Sequence, residues 1–424
     1  MINNYHTENM DKNIFEIAKK IEENNGRLYL VGGAVRDELL NIENNDEDYC
    51  VTGLSHNEFL KLFPNAFTRG KSFEVFDING KEFALARTER KIGKGHKEFE
   101  ITTNKNITIE EDLKRRDITI NSIAKDVLTG EIIDPFNGKQ DIKNKMIRAT
   151  SNSFKEDPLR VYRVARFASK FNFDVEKNTL KLINSVKQEL SELSAERVFK
   201  EMEIALKYDK PSKFFDVLKL AGVLEVHFLE IYKLIGALQP EKYHPEGDSY
   251  NHTMLALNRC AEHTKNEKIR FAVLVHDLGK GVTPKNEYPH HINHDKNGVE
   301  QVKKFANRLK MPNDWCSYGT VSAKEHMIGG IFNKMTPTKQ VSFIERVYRT
   351  KLGLKGLEIV VESDRNCRGL REDKIEFANL GEKMMNEING DLIKEKFGLN
   401  EGIQLKSKLH EQRVSWLKNF YFRN

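Results

Sequence analysis

No stretch of the 424-residue chain stays apolar over the length needed to cross a bilayer, so no membrane-spanning helix is expected. Cysteine is scarce: the four, Cys50, Cys260, Cys316 and Cys367, stand far apart and form no C-x-x-C pair. That spacing excludes both a cysteine-based zinc site and a disulfide framework. The N-terminal run MINNYHTENMDKNIFEIAKK lacks the apolar core of a secretory signal, and a cytoplasmic home is the simplest expectation. There is no repeat of fixed period and no long low-complexity segment. Charge is not strongly one-sided; the net +6 is modestly basic and suits a polyanionic partner. With 39% hydrophobic and 31% charged residues the chain reads as globular, and its length is too great for one core; roughly two to four domains are expected.

What is present is most informative between Leu28 and Val51, LYLVGGAVRDELLNIENNDEDYCV. This reads as strand, Gly-Gly turn, helix start, loop, and a second strand carrying Asp46, Glu47 and Asp48. Alternate side chains of a strand leave the same face, so Asp46 and Asp48 point together and Glu47 points away. Two carboxylates that close repel, and one takes up a proton unless a cation sits between them. Mg²⁺, which favours a few carboxylates plus substrate phosphates, is the natural cation. Gly32-Gly33 lets backbone N–H groups approach a phosphate at a helix start, and Arg36 adds a positive fork. Alone, Gly-Gly is also any tight turn and Asp-Glu-Asp any wet loop end. In this order they outline a nucleotidyltransferase.

Before this stretch, Ile14, Ile17, Ala18 and Ile21 mark one side of an amphipathic helix expected to pack on a sheet. From Arg27 to about Asp134 short β-like runs dominate (RLYLV, DYCVT, FEVFDI, EFALART, EIIDPF), with Asn79-Gly80 as a hairpin signal. ERKIGKGHKEFE, Glu89 to Glu100, has no periodicity and is predicted to be a mobile loop. From Glu110, EEDLKRRDITINSIAKD reads as helical. Neighbours on a helix diverge by about 100°, so Arg115, Arg116 and Asp117 cannot all face one ligand. Arg116 suits a triphosphate and Asp117 a ribose hydroxyl; a solvated charged turn is the plain alternative. Asp157-Pro158 is a helix-start signal, with Val161, Val164, Ala165 and Ala168 as the buried stripe. Arg160, Arg163 and Arg166 recur on one flank, a pattern that is usually a solvated face. On these residues alone, Asp157 reads as a cap.

From about Thr179 onward the pattern is helical, and PEKYHPEGDS, Pro240 to Ser249, reads as a linker and domain boundary. Beyond it lie His252, RFAVLVHDLGKG with His276-Asp277, HHINHD with His290, His291 and His294, then His326, and VESDRNCRG with Asp364. Spread His and Asp ligands on helices suit a mixed nitrogen and oxygen site for Mn²⁺, Ni²⁺, Mg²⁺ or Fe, less typically Zn²⁺. Such a metal activates water against a phosphoester.

LYLVGGAVRDELL, NDEDYCVTG, EFALARTERK, EEDLKRRDITINSIAKD, GEIIDPFNG, EDPLRVYRVARFA, AERVFKE and VHDLGKG, in that order, resemble bacterial CCA-adding enzymes. These are class II tRNA nucleotidyltransferases, here of the multifunctional type with an HD domain. The resemblance covers about Leu28 to Trp416. It implies an α+β fold: a mixed α/β nucleotidyltransferase head, polymerase beta-like, followed by all-α neck, body and HD helices. The implied division is 1–26 as a helical extension, 27–150 head, 151–240 neck and RNA-binding region, 245–365 HD phosphohydrolase domain, and 366–424 helical tail.

The implied activity is addition of C, C and A to tRNA 3′ ends from CTP and ATP without a nucleic-acid template. A 2′-nucleotidase, cyclic phosphodiesterase and phosphatase activity is expected of the HD domain. Asp46 and Asp48 would hold Mg²⁺. Gly33, Arg36, Arg116, Asp117, Arg163 and Arg166 would line the nucleotide, and Asp157 and Arg160 would read its base. His252, His276, Asp277 and Asp364 match the HD metal ligands, with Ni²⁺ or Mn²⁺ as the expected ion. The partners would be the acceptor and T arms of tRNA, met by a monomer or homodimer. The segment Glu89 to Gly95 is expected to move as the pocket switches from C to A. Three departures stand out: the N-terminal extension before Arg27; Gly70-Lys71-Ser72-Phe73, where the family often has Gly-Arg-(Asp/Glu)-Phe; and the exact order of the His290–Asp295 cluster. A poly(A), CC- or A-adding polymerase, and a hydrolase with a decayed head, are the alternatives.

Overall fold

Period-two apolar runs and one amphipathic helix build the first part of the chain. The computed structural model describes residues 12–44, 46–69, 75–91, 99–242, 244–369, 373–399 and 402–423, and the chain divides into two units, Met1–Leu193 and Ser194–Asn424. In the first unit the strands are β1 (Arg27–Val31), β2 (Asp48–Thr52), β3 (Phe67–Arg69), β4 (Val75–Ile78), β5 (Lys81–Leu85), β6 (Arg87–Lys91), β7 (Phe99–Thr103), β8 (Ala124–Asp126), β9 (Ile132–Ile133) and the short parallel pair β10 (Met146–Ile147) and β11 (Asp174–Val175). Seven of them form one mixed sheet in the order β3-β4-β5-β2-β1-β8-β9, in which β2 and β5 run parallel and the other pairs antiparallel. β6 and β7 make a separate antiparallel ribbon.

Strand alternation sorts the two faces of the sheet. Leu28, Leu30, Tyr49, Val51 and Phe83 pack with Ile14, Ile17, Ala18 and Ile21 of the helix Lys12–Glu22. Val31, Cys50 and Ala124 face the other way, onto Ile109 and Leu113 of the helix Ile109–Lys114. That helix starts at a capping box: Thr108 accepts from the Glu111 N–H and Glu111 returns the bond.

Two expectations are corrected. EEDLKRRDITINSIAKD is not one helix: it ends after Lys114, and a 3₁₀ turn (Thr119–Asn121) and β8 follow. Ile118, Thr119, Ile120 and Ile123 are β-branched, and Asp117 accepts the Ile118 N–H, which turns the chain out of the helix. The stretch Glu89–Glu100 is not all loop, since β6 and β7 pair across it from Glu89↔Ile101 to Lys91↔Phe99. Its middle, with Gly70–Phe73 and the start of the N-terminal extension, lies outside the described residues.

The second unit is helical. Five helices carry its metal-type ligands or frame them: Ser249–His263, Glu267–Val275, His294–Arg308, Asn313–Gly330 and Gly353–Arg365. A cluster of Ala256, Cys260, Ala272, Val273, Phe343, Leu357, Val360 and Val361 lies between them. Pro240–Ser249 is more than a linker: the backbone bridges Leu238 to Asp248, and Asp248 caps the helix Ser249–His263 through the Asn251 N–H.

Arg270 is 0% exposed and donates to four carbonyls, those of Leu206, Tyr208, Ala261 and Thr264, at 2.6–3.0 Å. It thereby satisfies carbonyls around the ends of the helices Ala195–Ala205 and Ser249–His263. Arg270→Met should destabilise the second unit by roughly 3 kcal/mol in urea unfolding, because buried acceptors lose their donors. Arg270→Lys should recover less than half of that, since one ammonium cannot reach four carbonyls.

Candidate functional site

β2 opens at Asp48, opposite Val31 of β1 and Glu82 of β5. Asp48 has the parity of Cys50 and lines a cavity of about 150 Å³ with Val31, Cys50, Asp112, Arg115 and Arg116. Glu47 turns the other way, accepting from the Tyr49 hydroxyl at 2.9 Å and pairing with Lys81. Asp46 lies just before the strand, its N–H bonded to Asn44 Oδ1 at 2.8 Å. Although Asp48 is open to solvent, its carboxyl is held above the usual carboxylate range, by desolvation first and then by the Asp46 charge, against the pull of Arg116. That is the signature of two carboxylates competing for charge. A pair of hard oxygen donors suits Mg²⁺.

Gly32 has φ +68°, and a Cβ there would stand 2.7 Å from Arg116 Nη1. The glycine lets the Arg116 guanidinium lie against the turn. Arg116 Nη2 reaches Asp112 at 3.1 Å, while its Nε is buried without a hydrogen-bond partner. Arg115 reaches the same Asp112 carboxylate and the Arg87 carbonyl, so both arginines line the Asp48 cavity. Asp117 is the member of the Arg-Arg-Asp run that faces away, toward Arg163.

Behind the turn runs a buried polar chain. Arg36 donates to Asp37 at 2.7 Å and to Asn121, and lies 4.8 Å from the Phe171 ring centroid. Asn121 donates to Asp117 Oδ1 at 3.1 Å, and Arg163 grips Asp117 Oδ2 through two nitrogens at 2.7 and 2.8 Å. Burial alone would raise the Asp117 pKa; the Arg163 charge and the bonds from Asn121 and Arg163 overcome it and hold it at about 2. The hydrogen bonds of Arg36 and Asp117 therefore face inward, bracing Gly33 and the helix Arg160–Phe171. Sequence reasoning missed Asn121, whose only signal is an amide inside an apolar run. At the start of that helix, Asp157 accepts the Leu159 N–H at 3.0 Å, so the cap reading has its hydrogen bond. Arg160 donates to the Ser153 carbonyl at 2.7 Å, and Arg166 stacks 4.3 Å over Phe167.

In the second unit, His252, the adjacent His276 and Asp277, and Asp364 come together from three separate stretches of chain. His252 Nε2 lies 2.9 Å from Asp364 Oδ1, and His276 Nε2 lies 3.2 Å from Asp277 Oδ2 and 3.6 Å from Asp364 Oδ1. The Nδ1 atoms point outward to partners: His276 to the Val273 carbonyl at 2.6 Å, His252 to Glu246 at 2.8 Å. Such outer bonds fix an imidazole as a metal ligand. Burial opposes charge on His276, but Asp277 and Asp364 overcome it and raise its pKa to about 9; the site draws positive charge inward. His276 Nε2 has no hydrogen-bond partner. A mixed nitrogen and oxygen donor set with an orphaned imidazole nitrogen fits a first-row divalent cation.

Sequence reasoning passed over Glu246 and Lys280, which line the same cavity of about 520 Å³ as His294 and His326. Lys280 pairs with Asp277 Oδ2 at 2.6 Å. Gly279 has no room for a Cβ, which would fall 1.9 Å from the His294 carbonyl, so glycine is what lets the helix His294–Arg308 start against this turn.

Residues 28–148 match the Poly A polymerase head domain, 172–234 a probable RNA and SrmB-binding site of polymerase A, and 227–336 the HD domain. A multifunctional CCA protein of Shewanella denitrificans is 47% identical over 307 residues, 71% of this chain and 74% of that one. Among solved structures, a CCA-adding enzyme in its apo form II superposes with a TM-score of 0.65 at 20% identity, covering 96% of this chain and 93% of that one. The Bacillus stearothermophilus CCA-adding enzyme in complex with CTP gives 0.60 at 21%, with the same coverage. At those identities the structures speak for the fold.

The Asp117 pKa, depressed in the fold, contributes stability that is present above pH 4 and lost as pH falls toward 2. Arg163→Gln should therefore cost the first unit about 2 kcal/mol at pH 6, and this deficit should shrink steadily between pH 4 and pH 2.5 in urea titrations.

Proposed function

The chain belongs to the multifunctional CCA protein family, and on that footing we propose that its head builds the terminal C, C and A of tRNA from CTP and ATP. The reaction is attack of the tRNA 3′-hydroxyl on the α-phosphate, with pyrophosphate leaving. The observation that carries this reading is the Asp46/Asp48 pair beside the Arg116 cavity, with the raised Asp48 pKa marking its need for a cation.

Mg²⁺, when bound by Asp46 and Asp48, supplies charge stabilisation to the attacking and departing oxygens. Arg116 meets the triphosphate from the Gly32 turn, and Gly33, Arg36, Asp117, Arg163 and Arg166 hold the floor of the nucleotide pocket. Placement and charge carry such a transfer. Asp157 and Arg160 select the base. Cytosine N4 and adenine N6 are donors that a carboxylate accepts, and the adjacent ring nitrogens are acceptors that an arginine serves. Guanine and uracil invert that pattern and leave charged groups unpaired. The residues matched to an RNA-binding region support tRNA as the partner, held at its acceptor and T arms by backbone and shape.

The HD domain supplies a second, phosphohydrolase activity on 2′-phosphates and cyclic phosphodiesters. Both domains imply dependence on divalent metal. His252, His276, Asp277 and Asp364 would hold Ni²⁺ or Mn²⁺, which activates water for attack on phosphorus. Lys280 and the basic side chains Arg365 and Arg368 at the same cavity suit a phosphate. The HD segment argues against a poly(A) polymerase, and the complete Asp46/Asp48 pair against a decayed head. Among the described residues no helix is long and apolar enough to cross a membrane. The four unpaired cysteines suit the reducing cytoplasm.

With Mg²⁺ and a tRNA lacking its 3′ end, the purified protein should incorporate CTP and then ATP and stop after three additions; endless A addition, or none, rejects the reading. Asp46→Ala should lower nucleotide addition by at least about 100-fold and leave metal-dependent phosphatase activity intact. His276→Ala with Asp277→Ala should do the reverse. Loss of both activities in either folded variant contradicts two independent sites.

A further inference from the structure

The two head carboxylates are anchored unequally. The sheet fixes Asp48, whose register pairs it with Val31 of β1 and Glu82 of β5. Both ladders end at Asp48, and Asp46 is an exposed residue beyond them. Strand geometry therefore does not hold Asp46 beside Asp48. Two ligands serve one ion only while their relative placement is kept, so another restraint is needed.

The side chain of Asn44 supplies it. The Asp46 N–H donates to Asn44 Oδ1 at 2.8 Å, and Asn44 Nδ2 donates to Asp37 Oδ2 at 3.0 Å. The partners fix which way the amide points, because an N–H only donates and a carboxylate only accepts. Asp37 is 4% exposed and held from two helices. Its Oδ1 takes the Arg36 Nε at 2.7 Å, and Lys170 of the helix Arg160–Phe171 stands 3.8 Å from its Oδ2. The amide also lies beside the Gly32-Gly33 turn: a Cβ on Gly33 would meet Asn44 Nδ2 at 4.0 Å. One short planar group thus joins a buried, fixed carboxylate to the backbone of an exposed one.

We propose that Asn44 is a positioning residue for nucleotide addition. It ties the Asp46 backbone to Asp37, and through Asp37 to the helix that opens at Gly33 and the helix Arg160–Phe171. The metal ligand then keeps its place relative to the nucleotide pocket. This rests on the reading of Asp46 and Asp48 as the Mg²⁺ pair and adds to it the residue that sets their spacing. The role demands an acceptor and a donor on one short side chain. Aspartate has no donor, and a serine hydroxyl accepts the N–H two residues on but falls short of Asp37. Groups that orient a ligand in this way govern metal affinity without touching the metal.

The test compares Asn44→Ala and Asn44→Ser with the unaltered full chain. Mn²⁺ is titrated and the free ion read by electron paramagnetic resonance; the titration of Asp46→Asn is subtracted to separate the head's site from the HD site. Asn44→Ala should weaken the head's Mn²⁺ affinity about tenfold, and Asn44→Ser about threefold. In CTP addition the Mg²⁺ concentration for half-maximal rate should rise by the same factors. Saturating Mg²⁺ should restore kcat, and KM for CTP should stay within about twofold of the parent. The urea midpoint should not move, because Asn44 is a partly exposed loop residue. Unchanged Mn²⁺ affinity in Asn44→Ala overturns the proposal, as does a kcat loss that saturating Mg²⁺ leaves in place. Full recovery in Asn44→Ser overturns the tie to Asp37. A parent chain that binds no more Mn²⁺ than Asp46→Asn overturns the metal pair itself, a failure distinct from the others.

Discussion

A carboxylate buried among imidazoles is stable only with positive charge beside it, and the second unit is arranged around that constraint at Asp277, which pairs with Lys280 at 2.6 Å. Leaving such a charge uncompensated costs several kcal/mol, more than a single hydrogen bond contributes. Each neighbouring histidine is turned by an outward bond from Nδ1, so its Nε2 is fixed before any ligand arrives. Glu246 does for His252 what the carbonyls do for the others, and its own carboxyl is pulled down to about 2: burial would raise it, but the bond from His252 leads the groups that lower it. The helices hold these rings by packing, so the site is pre-organised.

The head obeys the same electrostatics at lower cost. Asp46 and Asp48 are solvent-exposed at the mouth of a sheet, so water shares the burden of their repulsion. What is rigid there lies behind the carboxylates: Arg36, Asn121, Asp117 and Arg163 link the Gly32 turn to the helix Arg160–Phe171 in one buried chain of bonds. A site that releases its nucleotide after each addition gains from a fixed frame and loosely held metal ligands. A site whose proposed ligands His252, His276 and Asp277 are buried has no such need.

Legibility followed locality. The helix Lys12–Glu22, the Gly-Gly turn, the Asn79-Gly80 hairpin and the opposed directions of Glu47 and Asp48 all rest on neighbours in sequence, and period alone revealed them. The break in EEDLKRRDITINSIAKD did not show, because Asp117 competes with the helix through bonds to Ile118, Asn121 and the distant Arg163. Asn121 itself has no pattern; its role exists only once Arg36 and Asp117 flank it. Likewise His276-Asp277 is a visible motif. His294 and His326 are visible as candidates but not separable from their neighbours His290 and His291, until the fold brings them within 3.6 and 3.5 Å of Asp277 Oδ1. Pro240–Ser249 carries the composition of a linker, yet it contributes Glu246, which no local rule distinguishes from a surface acid.

The donor atoms also separate the two chemistries within one chain. The head offers oxygen alone, which holds Mg²⁺ weakly and leaves much of its hydration in place. The HD cavity offers imidazole with carboxylate, whose affinity rises steeply from Mn²⁺ toward Ni²⁺ and Cu²⁺. On the proposed assignment, a transition metal scarce in solution would be captured by the imidazoles before the head competed for it, while abundant Mg²⁺ would fill the head by mass action. Neither site would then need a barrier against the other's ion, because ligand softness on one side and concentration on the other would divide the metals between them.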